Sequence, residues 1–259
     1  MAGILFDEIV FGPVKSRRFG ISLGINLLPL QGKFCSFNCI YCECGLNNEQ
    51  KTKKPKLFTA AEIYTSLQSR FEALKTGGLN PDNITFAGNG EPTLHPEFET
   101  IIDNTIRLRD EFFPKAAITV LSNATRLGHE NVKRALLRID NNVLKLDAGT
   151  EATFQAINRP NQPITLEKVV QELMGFDGKL VVQTMLIRGE VEGIQVDNTT
   201  EEELVLYLKH IKEIHPTLVM LYPIDRQTPY RTLEKVPEPE FRALAGRIEA
   251  LGIKAEVFY

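Results

Sequence analysis

Apolar and polar residues follow one another along the chain in two periods, one typical of strands and the other of helices. In the first strand-like segment, Ile21, Leu23, Ile25 and Leu27 are separated by small or polar residues, and the segment stops at Pro29. The segment at 180–187 is apolar on both sides, as suits a buried strand of a parallel sheet. The pattern predicts strands over residues 21–27, 84–87, 117–122, 143–146, 180–187, 218–224 and 255–258.

Helical periodicity lies between these strands. The first helix follows Thr59, where Glu62 completes a capping box, and it ends at Gly77 and Gly78. Pro96 opens the second helix. Further helices are predicted over residues 132–139, 166–174, 201–214 and 240–251. Six successive βα units imply right-handed crossovers and a parallel sheet, which either closes towards a barrel or opens into a doubly wound layer.

Polar residues stand where the predicted strands end. In both architectures, ligands bind at the carboxyl ends of the strands. We therefore expect these residues to converge on one rim. They are the cysteine loop, Gly88-Asn89-Gly90-Glu91, Ser122-Asn123, Lys145 and Asp147, Gln183 and Thr184, and Asp225-Arg226.

Composition is that of an ordinary globular protein, with 43% hydrophobic and 24% charged residues in a chain of 259. No linker divides the chain, so we expect one domain over residues 1–259, with 1–20 as an N-terminal extension. No stretch is apolar enough to span a bilayer, and Asp7 and Glu8 stand where a signal peptide would be basic. We expect a cytoplasmic location and no membrane partner. The lysine run within 51–56 is interpreted as a solvated face.

All four cysteines lie within residues 35–44, and in a reducing compartment such a group favours metal binding over disulfides. Cys35, Cys39 and Cys42 place three thiolates on one loop, whereas a fully ligated [4Fe–4S] cluster takes four. Three ligands leave one iron open to a small chelating molecule. The alternative is a non-enzymatic zinc or iron–sulfur site that uses all four cysteines. Cys44 belongs to no motif, so we interpret it as a bystander, with a fourth ligand or a redox-sensitive thiol as alternatives.

The spacing Cys35-x-x-x-Cys39-x-x-Cys42, with Tyr41 before the third cysteine, resembles the signature of the radical S-adenosylmethionine (radical SAM) superfamily. The residues at 88–91 and 122–123 stand where that superfamily carries its Gly-Gly-Glu element and a Thr-Asn or Ser-Asn pair. Three more segments are similar to those of small single-cluster proteins related to the wyosine-base tRNA enzymes. These segments are residues 12–20, 90–96 and 222–226.

The resemblance implies a partial (βα)6 TIM-type barrel, with parallel strands, outer helices and the cluster loop after the first strand. It implies that Cys35, Cys39 and Cys42 hold a [4Fe–4S] cluster whose fourth iron chelates S-adenosylmethionine. One electron then cleaves the cofactor to methionine and a 5′-deoxyadenosyl radical, which abstracts hydrogen from a substrate in oxidoreductase or lyase-like chemistry. An electron donor such as flavodoxin or ferredoxin is the implied partner.

The same resemblance implies a set of cofactor-binding residues. Tyr41 is placed near the adenine, and Ser122 and Asn123 are placed at the ribose. Lys145 is placed at the methionine carboxylate, although with Asp147 it also has the pattern of a buried ion pair. The full set is Tyr41, Gly88, Asn89, Gly90, Glu91, Ser122, Asn123, Lys145, Asp147 and Gln183.

The substrate is left open as a small molecule, a protein or an RNA. The wyosine-type enzymes are larger and require additional cysteines for a second cluster, and this chain has only Cys44 to spare. A net charge of −3 gives no electrostatic footprint for tRNA. Modification of a tRNA base of the wyosine type is therefore an alternative to the main interpretation. No catalytic residue beyond those that handle the cofactor is predicted.

Overall fold

A sheet of eight strands organises the structure, a computed structural model that describes residues 4–47 and 56–259. Its strands are β1 (Val10–Ser16), β2 (Gly20–Ile25), β3 (Asn83–Phe86), β4 (Ala117–Ser122), β5 (Asn141–Lys145), β6 (Val181–Met185), β9 (Leu218–Tyr222) and β11 (Ala255–Val257). They lie side by side in that order. The other strands, β7 (Ile187–Val191), β8 (Ile194–Asp197) and β10 (Leu233–Lys235), form a smaller sheet in the order β10, β7, β8.

The strand order decides between the two architectures that the sequence left open. Every neighbouring pair from β2 to β11 is parallel, and the order follows the chain without a reversal. A doubly wound sheet reverses its order at a switch point. The expected partial TIM-type barrel is therefore confirmed, with the cysteine loop directly after its first parallel strand.

Six of the seven α-helices in the described residues begin and end close to the predicted limits. The seven helices within those residues are α1 (Ala60–Thr76), α2 (Phe98–Phe112), α3 (Glu130–Leu136), α4 (Glu151–Asn158), α5 (Leu166–Met174), α6 (Glu201–Ile214) and α7 (Glu238–Glu249). The predicted capping box starts α1, since Thr59 Oγ1 accepts from the Glu62 amide at 3.2 Å and Glu62 accepts from the Thr59 amide at 2.7 Å. In the part of the chain that the structure describes, no helix is long and apolar enough to cross a membrane.

The two faces of the large sheet differ in chemistry because successive side chains of a strand point to opposite sides. One face carries Leu23, Ile84, Val120 and others, and it packs against the helices in the main core. We call the opposite face the inner face. It carries Ser22, Thr85, Thr119, Val143, Lys145, Val181, Gln183, Met220 and Tyr222. The inner face therefore combines polar side chains with a small apolar cluster around Val143, Val181 and Met220.

Within the predicted N-terminal extension, residues 10–16 form a strand that the pattern does not predict, β1, which pairs antiparallel with β2. Gly12 and Pro13 hide this strand in the sequence, since both residues are depleted from strands. The turn between β1 and β2 places Phe19 on the inner face, where it packs against Val143 and Met220. The N-terminal hairpin thus fills part of the space that the barrel leaves open.

Other elements also differ from the predictions. The pattern predicts no helix over α4 and no strand over β8 or β10, and it predicts a single strand over the apolar run at 180–187. The run divides because Asn198 accepts from the Ile187 amide at 2.8 Å and donates to the Met185 carbonyl at 2.8 Å. This side chain turns the chain out of the large sheet and into β7. The lysine run within 51–56 lies outside the described residues, apart from Lys56.

Candidate functional site

The loop that carries the cysteines is fixed on one side to the end of β3. The Phe34 amide donates to the Asn89 carbonyl at 2.8 Å, and the Glu91 amide donates to the Phe34 carbonyl at 3.1 Å. Gly90 makes this approach possible, because it has a φ of 142° and a Cβ there would overlap the carbonyl oxygen of Phe34. The glycine therefore permits backbone to lie against backbone at the start of the cysteine loop.

Helix α4 fixes the other side of the loop. The Asn38 amide donates to the carbonyls of Asn158 and Arg159, each at 3.0 Å, and the Ile40 amide donates to the Ile157 carbonyl at 3.0 Å. The last carbonyls of a helix lack partners within the helix, so the loop satisfies them. Arg159 ends the helix in the left-handed conformation, with a φ of 45°. The cysteine loop is held between a strand end and a helix end.

Amide donors already face two of the cysteine sulfurs. Cys35 Sγ accepts from Asn123 Nδ2 and from the Phe37 amide, both at 3.5 Å, and Cys39 Sγ accepts from Asn158 Nδ2 at 3.6 Å. All four cysteines are free thiols. Hydrogen bonds to sulfur are what surround the thiolate ligands of iron–sulfur clusters. The donor set at Cys35, Cys39 and Cys42 therefore fits such a cluster.

Electrostatics divide the cysteines into two groups. Burial raises the pKa of Cys35 to about 12 and also raises the pKa of Cys39. A hydrogen bond with Cys44 lowers the pKa of Cys42 to about 5 and raises the pKa of Cys44. Burial acts to lower the pKa of Lys33, but the charges of Cys42, Cys35 and Cys39 outweigh it, so that the pKa of Lys33 is raised. A lysine cation therefore faces the three thiols of the motif.

Among the described residues, the thiols do not form a closed metal site, and this holds for the three cysteines of the motif as well as for all four. Four thiolates at about 2.3 Å from one zinc ion lie close together. Among residues 4–47 and 56–259, no group of three or more Cys, His, Asp or Glu side chains is arranged to hold one metal ion. Cys44 instead donates to the carbonyl of Gly88 at 3.3 Å.

The Gly-Asn-Gly-Glu segment serves mainly to join parts of the protein. Asn89 Oδ1 accepts from the Phe6 amide at 2.8 Å, and its Nδ2 donates to the carbonyls of Phe6 and Pro29. Gly88 has a φ of 141°, and a Cβ there would lie 2.6 Å from Asn26 Oδ1. The side chain of Asn89, predicted to bind the cofactor, thus hydrogen-bonds to Phe6 of the N-terminal segment and to Pro29, which follows β2.

Glu91 joins the ends of β3 and β4. Its Oε1 accepts from Ser122 Oγ at 2.9 Å and from Thr93, and its Oε2 accepts from the Asn123 amide at 2.6 Å. Glu91 is buried, and burial raises its pKa even though these donors act to lower it. The two motifs predicted at the ends of strands are therefore brought together, with the carboxylate of Glu91 turned to protein donors and Asn123 turned to Cys35.

Tyr41, Lys145 and Asp147 form a buried network beside Cys39. Lys145 Nζ donates to Tyr41 Oη at 2.6 Å and lies 3.4 Å from Asp147 Oδ2, and the Tyr41 hydroxyl donates to the same oxygen. Asp147 also accepts from Asn158 Nδ2 at 2.8 Å. Burial acts to lower the pKa of Lys145, but the charges of Asp147, Tyr222 and Cys39 together outweigh it and raise the pKa, while burial raises the pKa of Tyr41. The network holds an ion pair, as one of the two interpretations of Lys145 and Asp147 proposed.

Asn158 is the residue of this site that the sequence analysis missed. Its Nδ2 reaches both Cys39 and Asp147, while its Oδ1 is buried and has no hydrogen-bond partner. A buried acceptor without a partner is uncommon in a folded protein and marks a place where a bound group can donate. The signal that was available is the N-cap residue Thr150 followed by apolar Phe154 and Ile157, which is the pattern of a short helix.

Gln183 lies next to Lys145 in the sheet but has a different partner. The Cα atoms of Lys145 and Gln183 are paired in the register of β5 and β6. Gln183 Oε1 accepts from Arg18 Nη1 at 3.3 Å. Arg18 also lies over the ring of Tyr222, with its guanidinium carbon 5.2 Å from the ring centre. The hairpin thus places Arg18 at the inner face. The sequence, in which Arg17 and Arg18 are adjacent, does not predict this position.

Comparison with known proteins gives the family of the chain. It is 31% identical over 212 residues to a UPF0026 protein of Methanocaldococcus jannaschii, and the aligned region covers 80% of this chain and 61% of that protein. It is 33% identical over 242 residues to a UPF0026 protein of Synechocystis, and the aligned region covers 92% of this chain and 80% of that protein. The chain belongs to the UPF0026 family. No family model matches it.

Some relatives are longer than the region that aligns with this UPF0026 chain. The chain spans 61% of the Methanocaldococcus jannaschii relative. It also aligns at 33% identity with a protein named GTPase Obg from Brachyspira hyodysenteriae, over 93% of this chain but only 33% of that protein. The activity of the full-length relatives is therefore not carried over from these matches.

Solved structures agree on the fold. A radical SAM methyltransferase from Sphaerobacter thermophilus superposes with a TM-score of 0.65 and 16% identity, over 91% of this chain and 65% of that chain. An archaeal TYW1 superposes with a TM-score of 0.55 and 14% identity, over 88% of this chain and 71% of that chain. The chain has the fold of the radical SAM enzymes, as the cysteine motif implied.

Proposed function

We propose that this UPF0026 chain is a radical SAM enzyme that holds a [4Fe–4S] cluster through Cys35, Cys39 and Cys42 and binds S-adenosylmethionine beside it. The cluster, when bound, supplies one electron that cleaves S-adenosylmethionine to methionine and a 5′-deoxyadenosyl radical for hydrogen abstraction. The observation that carries the proposal is the arrangement of side-chain amides at the sulfurs, with Asn123 directed to Cys35 and Asn158 to Cys39.

The residues of the chain divide the work of binding. The three cysteines are assigned to iron, and Cys44 is assigned no iron because its thiol is a hydrogen-bond donor towards the Gly88 carbonyl and Cys42. Lys33 balances the negative charge of the thiolates. Gly88 and Gly90 are assigned positioning roles, because the space beside them is taken by Asn26 and by the Phe34 carbonyl of the protein itself.

The inner face next to Cys39 is assigned to the cofactor. The unpartnered Oδ1 of Asn158 is an acceptor for an ammonium or hydroxyl group, and Lys145 is a cation for a carboxylate. Tyr41 and Asp147 orient Lys145 through their contacts with it. Glu91 and Asn89 are assigned positioning roles, because their side chains bond to protein groups on both sides of the loop.

The partners follow from this chemistry. A one-electron donor of the flavodoxin or ferredoxin type must dock near the cysteine loop, and a reducing compartment such as the cytoplasm keeps the thiols free to bind iron. The substrate is the molecule that supplies the hydrogen atom. No observation in the described residues favours a tRNA substrate, and the likeness to archaeal TYW1 at 14% identity concerns the fold alone.

Anaerobic reconstitution tests the proposal. The chain is incubated with iron and sulfide, desalted, reduced with dithionite and mixed with S-adenosylmethionine. We expect about four irons and four sulfides per chain and the formation of 5′-deoxyadenosine and methionine in equal amounts. A preparation that holds one zinc and no sulfide, or a full cluster that leaves S-adenosylmethionine intact, contradicts the proposal.

A further inference from the structure

The hairpin formed by β1 and β2 places the cationic side chain of Arg18 at the inner face. Arg18 is half-buried in the turn between β1 and β2, beside Phe19, which packs among Val143, Val181 and Met220 of three neighbouring strands. Its guanidinium lies 5.3 Å from the ring centre of Phe19 and 5.2 Å from that of Tyr222. Two aromatic rings therefore hold the guanidinium group at this position.

The hydrogen bonding of Arg18 is incomplete. A guanidinium carries five N–H donors, and in the described residues the side chain of Arg18 makes one hydrogen bond, to Gln183 Oε1 at 3.3 Å. None of its nitrogens is among the fully buried atoms that lack a partner. The remaining donors are therefore open to a ligand.

The charged groups around Arg18 leave it without a carboxylate. Asp147, two residues after the end of β5, is occupied by Tyr41, Lys145 and Asn158. The other charged groups nearby are engaged elsewhere, Glu43 with Arg226 at 2.9 Å and Asp225 with Arg17 at 3.0 Å.

Two cations thus face one carboxylate on this part of the inner face. Lys145 and Gln183 are neighbours in the register of β5 and β6, so Arg18 reaches the strand next to Lys145. Placing a cation in a poorly hydrated site without a counterion costs free energy. An anionic ligand would supply the counterion that the protein does not.

We propose that Arg18, supported by Gln183, binds the carboxylate or phosphate group of a small anionic substrate on the inner face. The proposal rests on the proposed function, since it names the class of molecule from which hydrogen is abstracted. The planar guanidinium matches either anion through two parallel hydrogen bonds. We take the ligand as small because the rings of Phe19 and Tyr222 and the side chain of Gln183 on β6 cover part of the half-buried Arg18 guanidinium.

Titration calorimetry on the reconstituted holoprotein tests the anion site. Sodium phosphate and sodium acetate are titrated separately at constant ionic strength, with sodium chloride as the blank, so that the two titrations distinguish a phosphate from a carboxylate. We expect saturable binding of at least one of the two anions to the wild type. Loss of one charged hydrogen-bond donor weakens binding by roughly tenfold or more, so Arg18→Gln should bind at least that much less tightly.

Arg17→Gln is the matched control. Arg17 is the neighbouring arginine, but its side chain is half exposed and paired with Asp225. We expect its anion affinity to remain within about twofold of the wild type, in the range of a surface substitution. Arg18→Lys keeps the charge and removes the planar fork, so its affinity should lie between those of the wild type and Arg18→Gln, which keeps the test valid if the glutamine variant folds poorly.

Four outcomes overturn the anion site: no saturable binding to the wild type, equal binding by Arg18→Gln, equal loss in Arg17→Gln, or displacement of the anion by S-adenosylmethionine. The last outcome assigns Arg18 to the cofactor. Cleavage of S-adenosylmethionine is measured on the same wild-type preparation. Cleavage without anion binding contradicts the anion site alone, whereas anion binding without cleavage contradicts the proposed function.

Discussion

Asn158 donates a hydrogen bond from its side-chain amide to the sulfur of Cys39 at 3.6 Å. The two residues are far apart in the chain and meet because the end of α4 accepts the backbone of the cysteine loop. The other atom of the same amide, Oδ1, is buried and has no partner. One side chain therefore faces a proposed iron ligand and also offers an acceptor to a bound molecule.

Replacing single cysteines tests the assignment of three ligands. Cys39→Ala removes a buried ligand of the proposed cluster, so we expect the reconstituted protein to lose nearly all iron and sulfide. Cys44→Ala removes a thiol bonded to the Gly88 carbonyl and should keep the iron and sulfide content of the wild type. Both contents are measured chemically after desalting. An equal loss in the two variants would show that Cys44 is also a ligand.

Asn158→Leu should lower the reduction potential of the cluster. A donor to a thiolate ligand stabilises the more negative, reduced state, and one hydrogen bond of about 1 kcal/mol corresponds to a shift on the order of tens of millivolts. The potential is measured by redox titration followed by electron paramagnetic resonance.

Asn161→Leu is the control for this measurement. Asn161 also reaches the cysteine loop, but its Nδ2 donates to the Cys35 carbonyl at 2.8 Å instead of a sulfur. We expect its potential to match that of the wild type. The same shift in both variants would mean that a displacement of the cysteine loop, and not the loss of the hydrogen bond to sulfur, changes the reduction potential.

Gly90→Ala should destabilise the protein more than the same substitution does at another glycine with a positive φ. Its Cβ would overlap the Phe34 carbonyl at a φ of 142°, so the loop must move away from β3. We expect a loss of more than about 2 kcal/mol in the free energy of unfolding. Gly193 has a φ of 80° and open space around it, so Gly193→Ala should lose only about 1 kcal/mol. Urea denaturation measures both, and equal losses contradict the role of the close approach.

Asp147→Asn should cost more stability than Lys145→Met. Removing the carboxylate leaves the buried amine of Lys145 with the Tyr41 hydroxyl as its hydrogen-bond partner, and an uncompensated buried charge costs about 3–5 kcal/mol. Removing the amine leaves Asp147 with donors from Tyr41, Asn158 and the Met185 amide.

The two single variants and the double variant form a thermodynamic cycle measured by urea denaturation. A coupling free energy of at least about 1 kcal/mol is expected for groups in one network. Additive losses, or a larger loss in Lys145→Met, would contradict the buried ion pair.

Local signals in the sequence were enough for elements whose own residues decide them. The capping box at Thr59 and Glu62 placed the start of α1, and the limits of α5 and α6 match the predicted ranges. These elements have caps and apolar spacing that act within a few residues. In contrast, β1 contains Gly12 and Pro13, and only its pairing with β2 makes it a strand.

The sequence by itself determined the succession of strands and helices, the three-cysteine motif and the convergence of polar residues at strand ends, because periodicity and spacing act locally. Only the tertiary structure decided which partner each polar side chain has. It directed Asn89 and Glu91 to protein groups, brought Asn158 to Cys39 and carried Arg18 to the inner face. A side chain's chemistry is fixed by its type, but its role depends on the atoms that distant parts of the chain place within hydrogen-bonding distance.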